Sequence, residues 1–234
     1  TFMALLFGCT GCVKLLSVEQ KNTIAAQVPV ISKPLRTIEG TSGWVYAITF
    51  SPNGRYLASC SYNKQIKIWS PSNGTLLHTL EGHGDAVVTL AVSPNSKVLA
   101  SGSWDNRIKL WVLGTGQLLS TLKGHTDDVE AIALNRSGSY LVSGSADKTV
   151  RIWNVKTGKT IRQLWDGDLV RTVAFRPDGQ MVIAGDDSGS IKIWRVSDGA
   201  LLATLEAHSE AVRGIAFSPD GQTIASGSAD GTIK

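Results

Sequence analysis

Four tryptophans recur at an almost constant distance along this 234-residue chain. Trp69, Trp111, Trp153 and Trp194 lie 42, 42 and 41 residues apart. Each closes a short run of one form: Ile66-Lys67-Ile68-Trp69, Ile108-Lys109-Leu110-Trp111, Val150-Arg151-Ile152-Trp153 and Ile191-Lys192-Ile193-Trp194. A fifth run opens at Thr232-Ile233-Lys234, where the sequence stops two residues before the next tryptophan is due. The repeat is therefore expected to be cut short at its C-terminal end and to continue beyond Lys234. A period of this length means that the chain is a series of copies of one supersecondary unit. A unit of about 40 residues cannot bury its own faces, so it must stack against its neighbours.

The pattern inside one unit fixes the type of element. In the third unit Val129 to Leu134 alternates, and Arg136-Ser137-Gly138 turns the chain into Tyr140 to Ser143. A turn at Ala146-Asp147-Lys148 leads to Val150 to Trp153, and Thr157-Gly158-Lys159 leads to Ile161 to Leu164. Alternation with β-branched residues between turn signals predicts four short strands, and no stretch after residue 40 offers a long helical period. Four-stranded antiparallel sheets repeated radially leave few exposed edges. The fold class expected is all-β, a β-propeller with five blades in this chain. The blades fall at about 41–80, 83–122, 125–164, 166–205 and 208–234, the last one incomplete. With 42% hydrophobic residues and only 7 prolines, a packed core is within reach of the composition.

The chain resembles the WD40, or WD-repeat, family from about residue 34 to residue 234. The resemblance rests on Gly82-His83 and Gly124-His125, on Ser51-Pro52-Asn53-Gly54 and Ser218-Pro219-Asp220-Gly221, on Ala100-Ser101-Gly102-Ser103 and Ser143-Gly144-Ser145-Ala146-Asp147, and on the spaced tryptophans. The Trp-Asp pair that names the family is absent, since Ser70, Val112, Asn154 and Arg195 follow the tryptophans. The resemblance implies a closed ring, seven-bladed in most relatives, so about two further repeats are expected in the whole protein. Residues 35–38 are similar to the outer strand that each unit sends to the preceding blade, and such a strand would latch the ring.

Quinoprotein dehydrogenases share the architecture and carry a motif like Asp-x-x-Thr-Gly-Lys-x-x-Trp. Asn154-Val155-Lys156-Thr157-Gly158-Lys159 is similar in part, but Arg162 stands where that motif has tryptophan. An enzymatic propeller is therefore the least favoured reading, and no catalytic residue, metal or cofactor is expected.

Composition narrows the partners. The formal net charge is +4, but the 23 basic residues are dispersed. A phosphate track needs clustered Lys and Arg, so no nucleic-acid binding is expected. Cys9 and Cys12 have C-x-x-C spacing without a second Cys or His pair to complete a zinc site. Cys60 replaces a glycine of the Ser-Gly-Ser element and reads as a small buried residue. Residues 1–18 form an apolar leader. Residues 2–16 are too short for a transmembrane helix of ordinary length. They are either the remnant of a signal or anchor, Leu6-Phe7-Gly8-Cys9 being similar to a bacterial lipoprotein cleavage box, or the end of an upstream region. Residues 19–33 read as a linker ahead of the propeller at 34–234. Localisation stays open between cytoplasmic and exported or membrane-anchored, a membrane partner enters only through such an anchor, and the oligomeric state is not set by the sequence.

Sets of His, Ser and Asp recur at fixed offsets: His83, Ser101, Asp105 with Trp111; His125, Ser143, Asp147 with Trp153; and His208, Ser226, Asp230. A nucleophilic triad is built once, whereas this set occurs three times and lacks a nucleophile elbow. The resemblance implies that each set is a hydrogen-bond network within its blade, and a buried indole N–H does need an acceptor such as serine. Blades one and four depart from the set. Thr41 and Asn63 stand in the first, and Asp166, Ala184 and Ser188 in the fourth, where Trp165 also replaces the usual glycine. Those two blades are expected to be held mainly by apolar packing.

The same resemblance points to one end of the propeller as the docking face. By register the first blade offers Trp44, Tyr46 and Tyr62, the second Ala86, Val88 and Trp104, and the third Asp128, Glu130 and Ala146. The fourth offers Leu169, Arg171 and Asp187, and the fifth Ala211, Arg213 and Ala229. The aromatics on neighbouring blades, Asp128 and Glu130 beside them, and Arg171 and Arg213 further round suggest a protein or peptide partner. The function expected is an interaction scaffold. The alternative is a sensor or regulatory propeller within a larger membrane-anchored or signalling protein.

Overall fold

A computed structural model describes residues 36–41 and 43–234 of the chain. The apolar leader, the linker, Cys9 and Cys12 lie outside the described residues. Two compact units divide at Gly40, and all regular structure described here belongs to the second, Thr41–Lys234. Leu35 of the expected latch strand is also outside, and Arg36, Thr37 and Ile38 take no strand conformation. A segment that short counts as a strand only through hydrogen bonds to a neighbour, a requirement its sequence does not reveal.

The described residues contain no helix and 18 strands. The first sheet is β1 (Val45–Phe50), β2 (Leu57–Ser61), β3 (Ile66–Trp69) and β4 (Leu76–Leu80). The second is β5 (Val87–Val92), β6 (Val98–Ser103), β7 (Arg107–Val112) and β8 (Leu118–Lys123). The third is β9 (Val129–Leu134), β10 (Tyr140–Ser145), β11 (Thr149–Asn154) and β12 (Thr160–Trp165). The fourth is β13 (Val170–Phe175), β14 (Met181–Asp186), β15 (Ser190–Arg195) and β16 (Leu201–Glu206). A hairpin of β17 (Val212–Phe217) and β18 (Ile224–Ser228) follows. All pairings are antiparallel and run in sequence order within each sheet. The first strands β1, β5, β9, β13 and β17 each pack beside the next, so consecutive sheets stack as the blades of a β-propeller.

The core lies between sheets rather than within one. Leu99, Trp111 and Leu113 of the second blade join Ala58, Cys60, Ile66 and Ile68 of the first. Ala100, Ile108 and Leu110 turn the other way, to meet Leu141 and Trp153 of the third blade. Leu99 and Ala100 are adjacent and both fully buried, because successive strand residues face opposite sides of a sheet and both sides here are covered. Each third strand accordingly carries Ile, Leu or Val on both sides of a central Lys or Arg and a tryptophan at or next to its end. Burying a Leu or Ile side chain contributes about 1.5–3 kcal/mol, and the contribution is realised only when the next blade is in place.

One contact sets how closely the blades approach. The first strand of each blade begins with a valine: Val87, Val129, Val170 and Val212 are all fully buried. Each presses on the second strand of the blade before. A Cβ built on Gly102 would lie 2.8 Å from Val129 Cγ1, one on Gly144 2.3 Å from Val170 Cγ1, and one on Gly185 2.6 Å from Val212 Cγ1. These glycines have no positive φ, so the need is for space rather than for an unusual backbone. Cys60 occupies the register position of these glycines in the first blade, pairing with Ala47 as Gly102 pairs with Thr89. It is buried, and burial pushes its thiol up to about 12, as suits a packing residue rather than a reactive one.

Gly144→Ala should therefore force the third and fourth blades apart and lower stability by about 1–3 kcal/mol, the usual cost of overpacking. Gly227→Ala is the control, since nothing lies within 4 Å of a Cβ there. It should be neutral or slightly stabilising. Adding Val170→Ala to Gly144→Ala should restore part of the loss, and urea midpoints of the four proteins check all three statements.

Candidate functional site

The repeated polar set is assembled as a chain of bonds in two blades. In the second, Trp111 Nε1 donates to Ser101 Oγ at 2.9 Å, Ser101 Oγ lies 2.8 Å from His83 Nε2, and His83 Nδ1 lies 2.8 Å from Asp105 Oδ2. In the third, Trp153 Nε1 donates to Ser143 Oγ at 2.8 Å, and His125 bridges Ser143 at 2.7 Å and Asp147 at 2.8 Å. The fifth blade brings His208 to Ser226 at 2.8 Å and to Asp230 at 3.0 Å. Asp147 also accepts from the backbone N–H groups of Thr126 and Thr149, which ties the entry loop to the β10–β11 turn.

Charge states follow from burial and bonding. Burial holds His125 below its ordinary value, against the opposing pull of Asp147. Asp147 sits below the usual carboxylate range: burial alone would raise it, and its bonds to His125 and Thr149 outweigh that. The stable arrangement is a neutral imidazole donating from Nδ1 to the carboxylate, which leaves Nε2 to accept from the serine hydroxyl. Ser101 and Ser143 are completely buried and their oxygens are occupied by tryptophan, so neither is placed to attack a substrate.

The other two blades differ from each other. In the first, Trp69 Nε1 still donates to Ser59 Oγ at 2.9 Å, while Asn63 bonds to Ser61 and to the backbone N–H of Gln65. The fourth blade corrects the expectation of mainly apolar packing. Asp166 is buried at the histidine position, and Lys192 Nζ lies 3.2 Å from its Oδ1 and 3.3 Å from Asp186 Oδ2. Ala184 removes the serine acceptor, and Lys192, in register with Lys109 of the second blade, supplies a donor there. Burial pushes Asp166 up to about 7, and the Asp186 carboxylate beside it adds to the rise. Asp186 is held low because its bonds to Ser188 and to the backbone of Ser190 outweigh the cost of its burial. Asp166 Oδ2 is buried without a hydrogen-bond partner, and that is the oxygen able to carry the proton.

The residues singled out for docking gather at one end of the blades. Tyr62 N donates to Trp44 O, Trp104 N to Ala86 O, Ala146 N to Asp128 O, Asp187 N to Leu169 O and Ala229 N to Ala211 O, at 2.9–3.1 Å. A break in register follows the first valine of every blade, between Val45 and Ala47, Val87 and Thr89, Val129 and Ala131, Val170 and Thr172, and Val212 and Gly214. The bulged residues are thus Tyr46, Val88, Glu130, Arg171 and Arg213. A bulge leaves its residue outside the ladder and re-aims its side chain.

These positions are not equally accessible. Trp44 is 76% exposed and Tyr62 57% exposed, and Arg213 is exposed. Ala86 and Ala211 are buried and cannot meet a partner. Tyr46 and Trp104 are half-buried and meet edge to face with ring centroids 5.4 Å apart. Arg171 is engaged internally, its Nε 2.8 Å from Asp187 Oδ1 and its Nη1 3.4 Å from Glu130 Oε1. Burial raises Glu130 above its ordinary value, and Arg171 partly offsets this. Burial together with Asp127 and Asp85 raises Asp128. The acidic side of the face was legible in the sequence, but the Arg171 bridge joins residues 41 and 16 positions apart in the chain and had no local signal. Among the described residues, no group of three or more His, Cys, Asp or Glu could hold a metal ion, and no helix is long and apolar enough to cross a membrane.

The sequence model described as "WD domain, G-beta repeat" matches residues 32–70, 74–112, 116–154, 158–195 and 199–234. WD repeat domain-containing protein 83 of Danio rerio is 42% identical over 52 residues, which is 22% of this chain and 16% of that protein. The protein of the same description from Rattus norvegicus is 40% identical over 45 residues, 19% of this chain and 14% of its own length. The matched stretches thus span about a sixth of these relatives.

Two measurements probe the blade networks. His125→Ala strands Ser143 and Asp147 and should lower stability by about 1–3 kcal/mol. For Asp166 the folded value lies above the unfolded one, so its contribution is complete below about pH 4 and is lost as pH rises through about 7. Asp166→Asn should therefore gain stability relative to the parent between pH 4 and pH 8, read as a growing difference in urea midpoint. A difference that stays flat across that range contradicts the assignment.

Proposed function

The chain belongs to the WD domain, G-beta repeat family, whose repeats are generally protein-interaction scaffolds, and on that premise we propose that it holds a protein or peptide on the face carrying Trp44, Tyr46, Tyr62 and Trp104. The observation that carries this reading is the bulge at the start of each blade. It takes one residue per blade out of the strand ladder, and the residues so released are a tyrosine, a valine, a glutamate and two arginines rather than a repeated type. Positions that serve the fold repeat from blade to blade, and these do not.

The exposure of the aromatics supports the same face. Trp44 and Tyr62 leave large rings in water, which is unfavourable by roughly 25 cal/mol per Å² of apolar area. Trp and Tyr are also the side chains most often found to dominate binding energy, because they bury much area with few rotatable bonds. Asp128, Glu130 and Arg213 add charge to the same end of the blades, which would set register and association rate. The reading is of a scaffold and not an enzyme, because the repeated His, Ser and Asp sets are occupied within their blades.

The test compares Trp44→Ala and Tyr62→Ala with a double Arg55→Ala, Arg136→Ala change in turns at the other end of the blades. Partners captured from cells by the parent chain are titrated against each variant. Each ring variant should lose on the order of 2 kcal/mol of binding energy, with the double variant unchanged. Folded ring variants that bind every captured partner as the parent does would overturn the reading.

A further inference from the structure

We propose that Tyr46, Tyr62 and Trp104, with the Glu130 carboxylate among them, receive a cationic side chain of the partner, an arginine guanidinium or a lysine ammonium. This rests on the docking face proposed above and names the chemistry of its ligand.

The four groups come from three blades and share one electrostatic neighbourhood. Tyr46 meets Trp104 edge to face at 5.4 Å. The Tyr46 phenol is raised by burial and then by the nearness of Tyr62 and Glu130. The Trp104 N–H favours the charged form of Glu130, although it makes no hydrogen bond of normal geometry and is otherwise buried without a partner. Tyr62, 57% exposed, leaves the cluster open to solvent on its side. Aromatic faces attract cations through their quadrupole, tryptophan most strongly, and the attraction grows when water is excluded.

Charge complementarity decides between a cation and a purely apolar anchor. Glu130 is already partly desolvated, and its ion pair to Arg171 is long at 3.4 Å because that guanidinium is held at 2.8 Å by Asp187. An aliphatic side chain seated on the rings would remove the remaining water from this carboxylate and give it no donor. That leaves a buried charge poorly compensated, which is costly. A guanidinium or ammonium covers the same rings with its methylene stem and supplies the donors. Asp128, itself in the field of Asp127 and Asp85, extends the negative region on the Glu130 side.

The probes are N-acetylated, C-amidated Gly-Ser heptapeptides with one central residue: arginine, lysine, trimethyl-lysine or uncharged norleucine. The full chain, labelled with 15N at the tryptophan indoles, is titrated with each at low ionic strength. The arginine and lysine peptides should shift the Trp104 indole resonance, and norleucine should not. Glu130→Gln should weaken the arginine peptide about tenfold, equivalent to about 1.4 kcal/mol. Tyr62→Ala should also weaken it, while Trp165→Ala at the outer edge should leave it unchanged. Trimethyl-lysine binding better than lysine would place the attraction mainly in the rings. Arginine binding best would place it mainly in Glu130. The proposal is overturned if norleucine binds as well as the cations, if Glu130→Gln binds arginine as the parent does, or if neither cation shifts the indole. Should Trp44→Ala still abolish capture of a natural partner in that last case, the docking face survives and only the cation assignment falls.

Discussion

The contact between a glycine in the second strand of one blade and a valine at the head of the next blade governs the rest of the structure. Each four-stranded sheet is apolar on both faces, so it is stable only with a neighbour against it. How close the neighbour comes depends on Gly102, Gly144 and Gly185, where any Cβ would enter the space of Val129, Val170 or Val212. That close approach is what brings Ala100, Ile108 and Leu110 against Leu141 and Trp153, and Val142 and Ile152 against Val173 and Val182. Cys60 shows that the position tolerates a slightly larger side chain in the first blade, where its Sγ is taken into the shared core.

Within this stack the polar networks have a second task. A tryptophan at the end of each third strand fills the interface but carries an N–H into it, and the loop before each blade would otherwise be tied down only by its backbone. The Ser–His–Asp chain answers both needs at once, because the serine oxygen accepts a hydrogen bond from the indole N–H and aspartate fastens the entry loop to the turn between the second and third strands. The fourth blade fastens its entry loop with charges instead. Asp166, Lys192 and Asp186 link the entry loop to the second and third strands, but two carboxylates share one lysine in a buried place. Asp166 is consequently close to taking up a proton at neutral pH, which couples the packing of this blade to the pH of the surroundings.

The end of the blades that carries the bulges obeys a different rule. A bulge after each first valine releases one residue from the ladder, so this position is free of the size limit that the glycine–valine contact imposes a few ångströms away. Tyr46, Glu130, Arg171 and Arg213 can therefore differ in charge and shape without disturbing the stack. Trp104 of the second blade meets Tyr46 of the first, and Glu130 of the third meets Arg171 of the fourth, so small clusters form that no single blade contains. A uniform stack is thereby separated from a variable rim.

The sequence by itself determined the unit and its internal chemistry. The tryptophan spacing, the alternation in each strand and the offsets of His125, Ser143, Asp147 and Trp153 are set within about 30 residues, so strands, turns and networks were legible as local pattern. The small residue at Cys60 was legible for the same reason. Only the tertiary structure decided what lies between blades. It buried Ala86 and Ala211, half-buried Trp104 against Tyr46 and engaged Arg171 with Glu130. It also showed no strand at Arg36 to Ile38. The physical reason is the range of the interactions. Periodicity reports which face of a strand is apolar, whereas exposure, ion pairing and the direction of a bulged side chain depend on residues some 40 positions away that only the stacking of one blade on the next brings into reach.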